Sequence, residues 1–288
     1  MRKTTSQKAE TKANRQKIGG SQSMEYISLK NDLLFHMVFT RNATALKALL
    51  SALLGIPEAQ IGDIEILNPL QYSEIVHTKL TVLDLKVHLT NGAYILVEMQ
   101  VRKFEFWPNR TLVYASRALA DQVEGDFGYK KLEPVIQISI MDHSLFPEHR
   151  RFFAKYTLRD EEGFEYSDKL RFLVLDLTQI EQATDEQAQQ GLVEWARAFK
   201  ALSWSEINNI ENSGVKEVAK TMQMIMANPT EREMIRMRRD AEIDWRTSID
   251  AAKEEGKFEM AKSMKLDGVS YAFISKHSGM TLEEIDAL

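Results

Sequence analysis

Between residues 82 and 101 apolar and polar positions alternate along two arms, VLDLKVHL and AYILVEMQV, separated by Thr90-Asn91-Gly92. Leu83, Leu85, Val87 and Leu89 on the first arm share one face with Ala93, Ile95, Val97, Met99 and Val101 on the second, the period of a strand with one side in a core. The other face holds Val82, Asp84, Lys86 and His88, then Tyr94, Leu96, Glu98 and Gln100. A two-residue Asn91-Gly92 turn would pair apolar with polar positions. A three-residue loop, with Gly92 in the left-handed conformation, pairs Leu89 with Ala93 and keeps the two rows apart. The pattern therefore predicts a hairpin with Asp84 directly across from Glu98. Cross-strand neighbours have Cβ atoms about 5 Å apart, so both carboxylates are within reach of one hard cation. Without a cation or a proton between them they would repel.

The rest of the chain reads as α/β followed by all-α. A helix opens near Ser28, with Leu29, Leu33, Phe35, Met37 and Val38 on its apolar side. Asp32 in its first turn reads either as a charge complementing the helix dipole or as a third acid facing the hairpin. A second helix spans 43–54 and stops at Gly55, with Pro57 beyond. Residues 61–67 read as a strand that leads through an Asn68-Pro69 turn into the hairpin. After the hairpin, Pro108 sits in the first turn of a helix running to about 123, with Leu112, Ala115 or Ser116, Leu119 and Val123 expected inward. Its other side carries Arg110, Tyr114 and Arg117, a solvated face or a set of phosphate contacts. The apolar run 135–141 is a buried strand, and a helical crossover into it implies a parallel pair. Further strands lie near Leu158 and over 170–177, either side of an acidic turn at 160–163. From Asp185 the strand signals vanish. Pro229 separates one helix from a long charged one over 231–266 that Gly268 ends, and two short helices with a capping box at Thr281 follow.

Composition changes this picture little. The chain has 288 residues and a net charge of −5, but residues 1–23 carry six Lys/Arg against Glu10 alone, leaving −10 for the remainder. The basic, apolar-poor stretch 1–24 is expected to be a disordered tail. The absence of cysteine excludes disulfides, iron–sulfur clusters and thiol catalysis. No membrane span or secretory signal is legible, so a cytoplasmic protein is expected. Phosphate-loop, HExxH, CxxC and GxSxG motifs are missing, and the six histidines share no metal-ligand spacing.

Lys30-Asn31-Asp32 ahead of an apolar helix, Leu83-Asp84, Glu98-Met99-Gln100-Val101, and then Arg110 and Tyr114 on the next helix form an ordered set. It resembles the Rpn-type recombination-promoting nucleases of the PD-(D/E)xK superfamily. The tail, with Gly268-x-Ser270, Ile274 and Gly279-Met280-Thr281-x-x-Glu284-Ile285, is similar to that family as well. The resemblance implies a restriction-endonuclease-like mixed sheet core flanked by helices over residues 25–180, with a C-terminal all-helical module over 185–288. It implies a Mg²⁺-dependent DNA endonuclease, with Mn²⁺ as a substitute ion, linked to mobile-element recombination or phage defence. Carried over by position, Asp84 and Glu98 are metal ligands, Gln100 takes the superfamily's lysine position, and Asp32 is the auxiliary acid. Arg110, Tyr114 and Arg117 become contacts to the DNA backbone. Gln100 is a departure, because Gln orients by hydrogen bonding and carries no charge. That departure motivates the alternative of an inactive nuclease fold serving in DNA binding or assembly.

The long helix carries Met234, Met237, Ile243, Trp245, Ile249, Phe258, Met260 and Met264 among its charges. A helix gains most of its stability by packing such residues, and its interleaved acids disfavour DNA as the cover. Homodimerisation through residues from about 185 onward is the expectation.

Overall fold

The computed structural model describes residues 24–67, 85–123 and 128–288. The chain forms two compact units, divided between Pro229 and Thr230.

In the first unit, helices α1 (Asp32–Arg41) and α2 (Ala43–Leu54) precede a six-stranded sheet. Its strands are β1 (Ile64–Ile66), β2 (Leu85–Leu89), β3 (Ala93–Gln100), β4 (Val135–Met141), β5 (Phe153–Arg159) and β6 (Glu165–Asp176), in the spatial order β1-β2-β3-β4-β6-β5. The β2–β3 hairpin has the register expected of the three-residue loop, with Leu89 opposite Ala93 and Leu85 opposite Val97. Gly92 takes a φ of 93°, open to glycine at no steric cost, and its N–H donates to the Leu89 carbonyl. Helix α3 (Trp107–Ala120) carries the chain across to β4, which runs parallel to β3. β6 is parallel to β4, and β5 folds back antiparallel on β6 at the edge. The carboxyl ends of β3, β4 and β6 therefore lie at one end of the sheet, where open α/β folds place their ligands.

The central strands are buried on both faces. Helix α3 covers the row containing Leu96 and Val135 through Ala115 and Ala118, joined by Tyr94, Tyr114 and Phe172. Its inward side differs from the expected stripe: Trp107, Thr111, Ala115 and Ala118 are buried, whereas Leu112 is 50% exposed. The cause is local. Trp107 donates through its indole N–H to Ser139 on β4, and the small Ala115 and Ala118 let the helix lie close on Leu96. The opposite row, Leu85, Val87, Ile95, Val97, Ile138 and Ile140, is buried as well. The other helices of the same unit are apolar as well.

Those helices include the segment after 185: α4 (Asp185–Gln189), α5 (Leu192–Lys200), α6 (Trp204–Asn208) and α7 (Ser213–Ala227). Helix α7 packs against α1 and α2, so the division of the chain falls later than the end of the strand signals. Gly214 marks the closest approach: a Cβ there would lie 2.4 Å from Ala48 Cβ and 2.9 Å from Trp195. Gly214→Val is expected to destabilise the unit by about 1–3 kcal/mol or more through overpacking, read as a lower urea midpoint with unchanged slope. The first helix starts at Asp32, later than Ser28, because buried Asn31 is the cap and its side chain accepts from Leu34 N–H at 2.9 Å.

The second unit is helical: the greater part of α8 (Pro229–Leu266), then α9 (Tyr271–Ser278) and α10 (Leu282–Asp286). Ala261, Ile274 and Ile285 form its small core with Met264, Val269, Met280 and Leu288. Thr281 and Glu284 form the expected capping box. No helix among the described residues is long and apolar enough to cross a membrane.

Candidate active site

Glu98 sits on the α3 face of β3, one strand in from β2. Its neighbour across the parallel pair is Ser139. Only 3% of Glu98 is exposed, and its Oε2 has no hydrogen-bond partner. Burial pushes its carboxyl up to about 7, while the nearby Arg110 guanidinium pulls in the other direction. Desolvation prevails because Arg110 Nη2 stops 3.6 Å from Oε1, too far for a strong bond.

Helix α3 positions Arg110 from above. Its guanidinium lies 5.4 Å from the Trp107 ring and 5.2 Å from the Tyr114 ring, a clamp that fixes the plane of the cation. Arg110 Nε is buried without a partner as well. The site therefore contains a carboxylate oxygen and a guanidinium nitrogen, both dry and both unsatisfied. A buried group in that state is rare in folded proteins. A charged ligand such as a divalent cation with a phosphate would complete both, so the donor set fits such a group.

Gln100 lies two residues further along the same face. Its Nε2 donates to its own chain at the Arg102 carbonyl, 2.7 Å away. Beside it, Asp142 N–H donates to the Gln100 carbonyl, and the Asp142 carboxylate holds Lys30 Nζ at 2.7 Å. This ion pair brings the Lys30-Asn31-Asp32 segment to the carboxyl ends of β3 and β4. Asp32, half-buried in the first turn of α1, accepts from Leu33 N–H.

The structure thus gathers Glu98, Arg110 and Tyr114, with Gln100 on the same strand face. Arg117 is exposed on α3, two turns beyond Arg110. Asp84 lies outside the described residues, as do the Asn68-Pro69 turn and the N-terminal stretch 1–23. Among the described residues no group of three or more His, Asp or Glu could hold a metal. His88, on the same hairpin face, is tied to Glu133 at 2.6 Å and stacks on Tyr94. Trp107, Ser139 and the Lys30–Asp142 pair were not legible as site components. Trp107 had one signal, a large aromatic just ahead of a helix-opening proline; the other contacts join segments too distant in sequence to show any.

Searches of curated proteins and of solved structures each found no match. A family model, the PD-(D/E)XK nuclease family transposase, matches residues 29–252. The match spans α1, the hairpin, α3 and the whole sheet, and the mixed six-stranded sheet with flanking helices is consistent with that fold. On the sequence match and the architecture together, the chain belongs to the PD-(D/E)XK nuclease family transposases.

Proposed function

We propose that the chain is a divalent-metal-dependent DNA endonuclease that hydrolyses phosphodiester bonds in the service of mobile-element recombination or phage defence. The observation that carries this is buried Glu98, with one oxygen unsatisfied, beside Arg110, whose Nε is buried without a partner. Glu98 and Asp84 would hold Mg²⁺ or Mn²⁺. Such an ion supplies positive charge against the phosphate and makes a bound water more acidic. Glu98 then stays ionised at neutral pH. Arg110, released from Glu98, meets the phosphate oxygens and supplies the fixed cation that Gln100 lacks. With its amide nitrogen engaged, Gln100 offers its Oε1 to orient the attacking water. Tyr114 keeps the Arg110 plane in place, Asp32 is the auxiliary acid, and Arg117 touches the backbone farther along.

The test is cleavage of plasmid and linear DNA by the purified protein with Mg²⁺, with chelator, and with Asp84→Ala. Cleavage is expected in the first case alone, and undiminished cutting by folded Asp84→Ala would refute the assignment. One observation favours a second reading, an inactive nuclease fold that binds DNA: the Gln100 amide nitrogen is already taken by Arg102. In that case the wild type binds DNA without cutting it under any of these conditions.

We also infer a homodimer, built on α8. Met237, Ile243, Trp245, Ile249 and Phe258 are exposed on this helix within the single chain, Trp245 by 51%. A second copy would cover them, and pairing two sites would let both strands of a duplex be cut. Trp245→Lys together with Ile249→Lys is expected to halve the mass measured by light scattering at micromolar concentration. A wild type already monomeric there, or an unchanged dimer in the variant, would refute the inference.

A further inference from the structure

On the α3 face, past the Trp107–Ser139 hydrogen bond, lies a cavity of about 250 Å³. Trp107, Phe146, Tyr156 and Phe172 give it aromatic walls, and Leu112 stands at its helical side. Phe146 and Tyr156 meet edge to face, with ring centroids 6.1 Å apart. Glu98, Ser139 and Val174 are register partners across β3, β4 and β6, and neighbouring strands lie about 4.8 Å apart. Because Ser139 and Val174 both line the cavity, it begins one strand away from the carboxylate.

We propose that this cavity takes one unstacked nucleobase of the nucleic acid whose phosphodiester bond lies at Glu98. The inference rests on the nuclease reading of that site. Flat aromatic walls stack on a base of any identity. The lining carries no charge to attract a second phosphate, and its aromatic rings favour a flat ligand over an aliphatic one. One strand spacing, about 4.8 Å, separates the cavity's Ser139 edge from the Glu98 strand, within reach of a base on the same or the adjoining nucleotide. A base in this place has left its stack, so the preferred substrate is single-stranded, or duplex from which one base swings out.

The test compares cleavage rates on single-stranded and duplex oligonucleotides that carry one abasic residue at successive positions around the cut. For the wild type, one position is expected to lower the rate roughly tenfold, the scale of losing one base–aromatic stack. Leu112→Trp, at a half-exposed position that tolerates a larger side chain, fills the cavity. It is expected to cut intact strands as slowly as the wild type cuts the sensitive abasic strand, and to show no position dependence of its own. Uniform wild-type rates, or the same position dependence in Leu112→Trp, would overturn the base pocket while leaving the nuclease reading in place. If the wild type cleaves none of the strands, the nuclease reading fails and the pocket assignment fails with it.

Discussion

Glu98→Gln is expected to lower DNA cleavage by about a thousandfold or more, the scale of removing a group that stabilises charge in a transition state, while raising the stability of the metal-free protein. The two effects have one cause. Glu98 is almost wholly buried, and burial pushes its carboxyl up to about 7. Ionising it at pH 8 in the folded state therefore costs on the order of 3 kcal/mol relative to the unfolded chain. Gln has the same shape and never ionises, so it escapes that cost and loses the charge that would hold the cation. Rates on supercoiled plasmid and urea midpoints at pH 8 check both halves. A residue with a purely structural role would lose stability on substitution, and a stability loss in Glu98→Gln, or unimpaired cleavage, would sink the assignment.

The second large effect is in the pH dependence of stability without and with metal. A carboxyl whose folded value lies above its unfolded value keeps its proton longer in the folded state. Its contribution is fully present below about pH 4.5, declines as the pH rises toward 7, and levels off beyond. Metal-free wild type should therefore lose stability relative to Glu98→Gln across that window and run parallel to it above pH 7. A cation binds the ionised form, so Mg²⁺ should raise the melting temperature more at pH 8 than at pH 5.5. At a hundred times its dissociation constant, a ligand stabilises by about 2.7 kcal/mol, an upshift of several degrees that Glu98→Gln should lack. Calorimetric scans of both proteins, with Mg²⁺ and with chelator, would show it. An equal upshift in the variant would place the ion elsewhere.

Much of the scaffold was determined by local pattern. Strict alternation along 82–101, together with a glycine able to adopt positive φ, leaves one register that keeps apolar residues on one face, and β2 and β3 adopt it. The boundaries of α2 follow from Gly55, because a cap acts over a few residues, and those of β4 from a largely apolar run interrupted by Gln137 and Ser139. That Arg110 and Tyr114 share one side of a helix was legible from their spacing, but the approach of Arg110 to Glu98 was not.

Tertiary structure decided the rest. Which side of α3 faces inward depended on Trp107 finding Ser139 on a strand not yet reached in the chain, and periodicity alone favoured Leu112. The boundary between the two compact units was hidden for a similar reason: loss of strand pattern at 185 marks a change in secondary structure, whereas the units divide by burial, which continues through α7. The state of Glu98 was equally hidden. A glutamate on a strand reads alike whether wet or dry; only the helix laid over it by a crossover of some thirty residues removes the water, leaves one oxygen unsatisfied and raises its proton affinity. Short-range geometry is written in neighbouring residues, but desolvation is a sum over everything that packs above a side chain, and that sum exists only once the chain has folded.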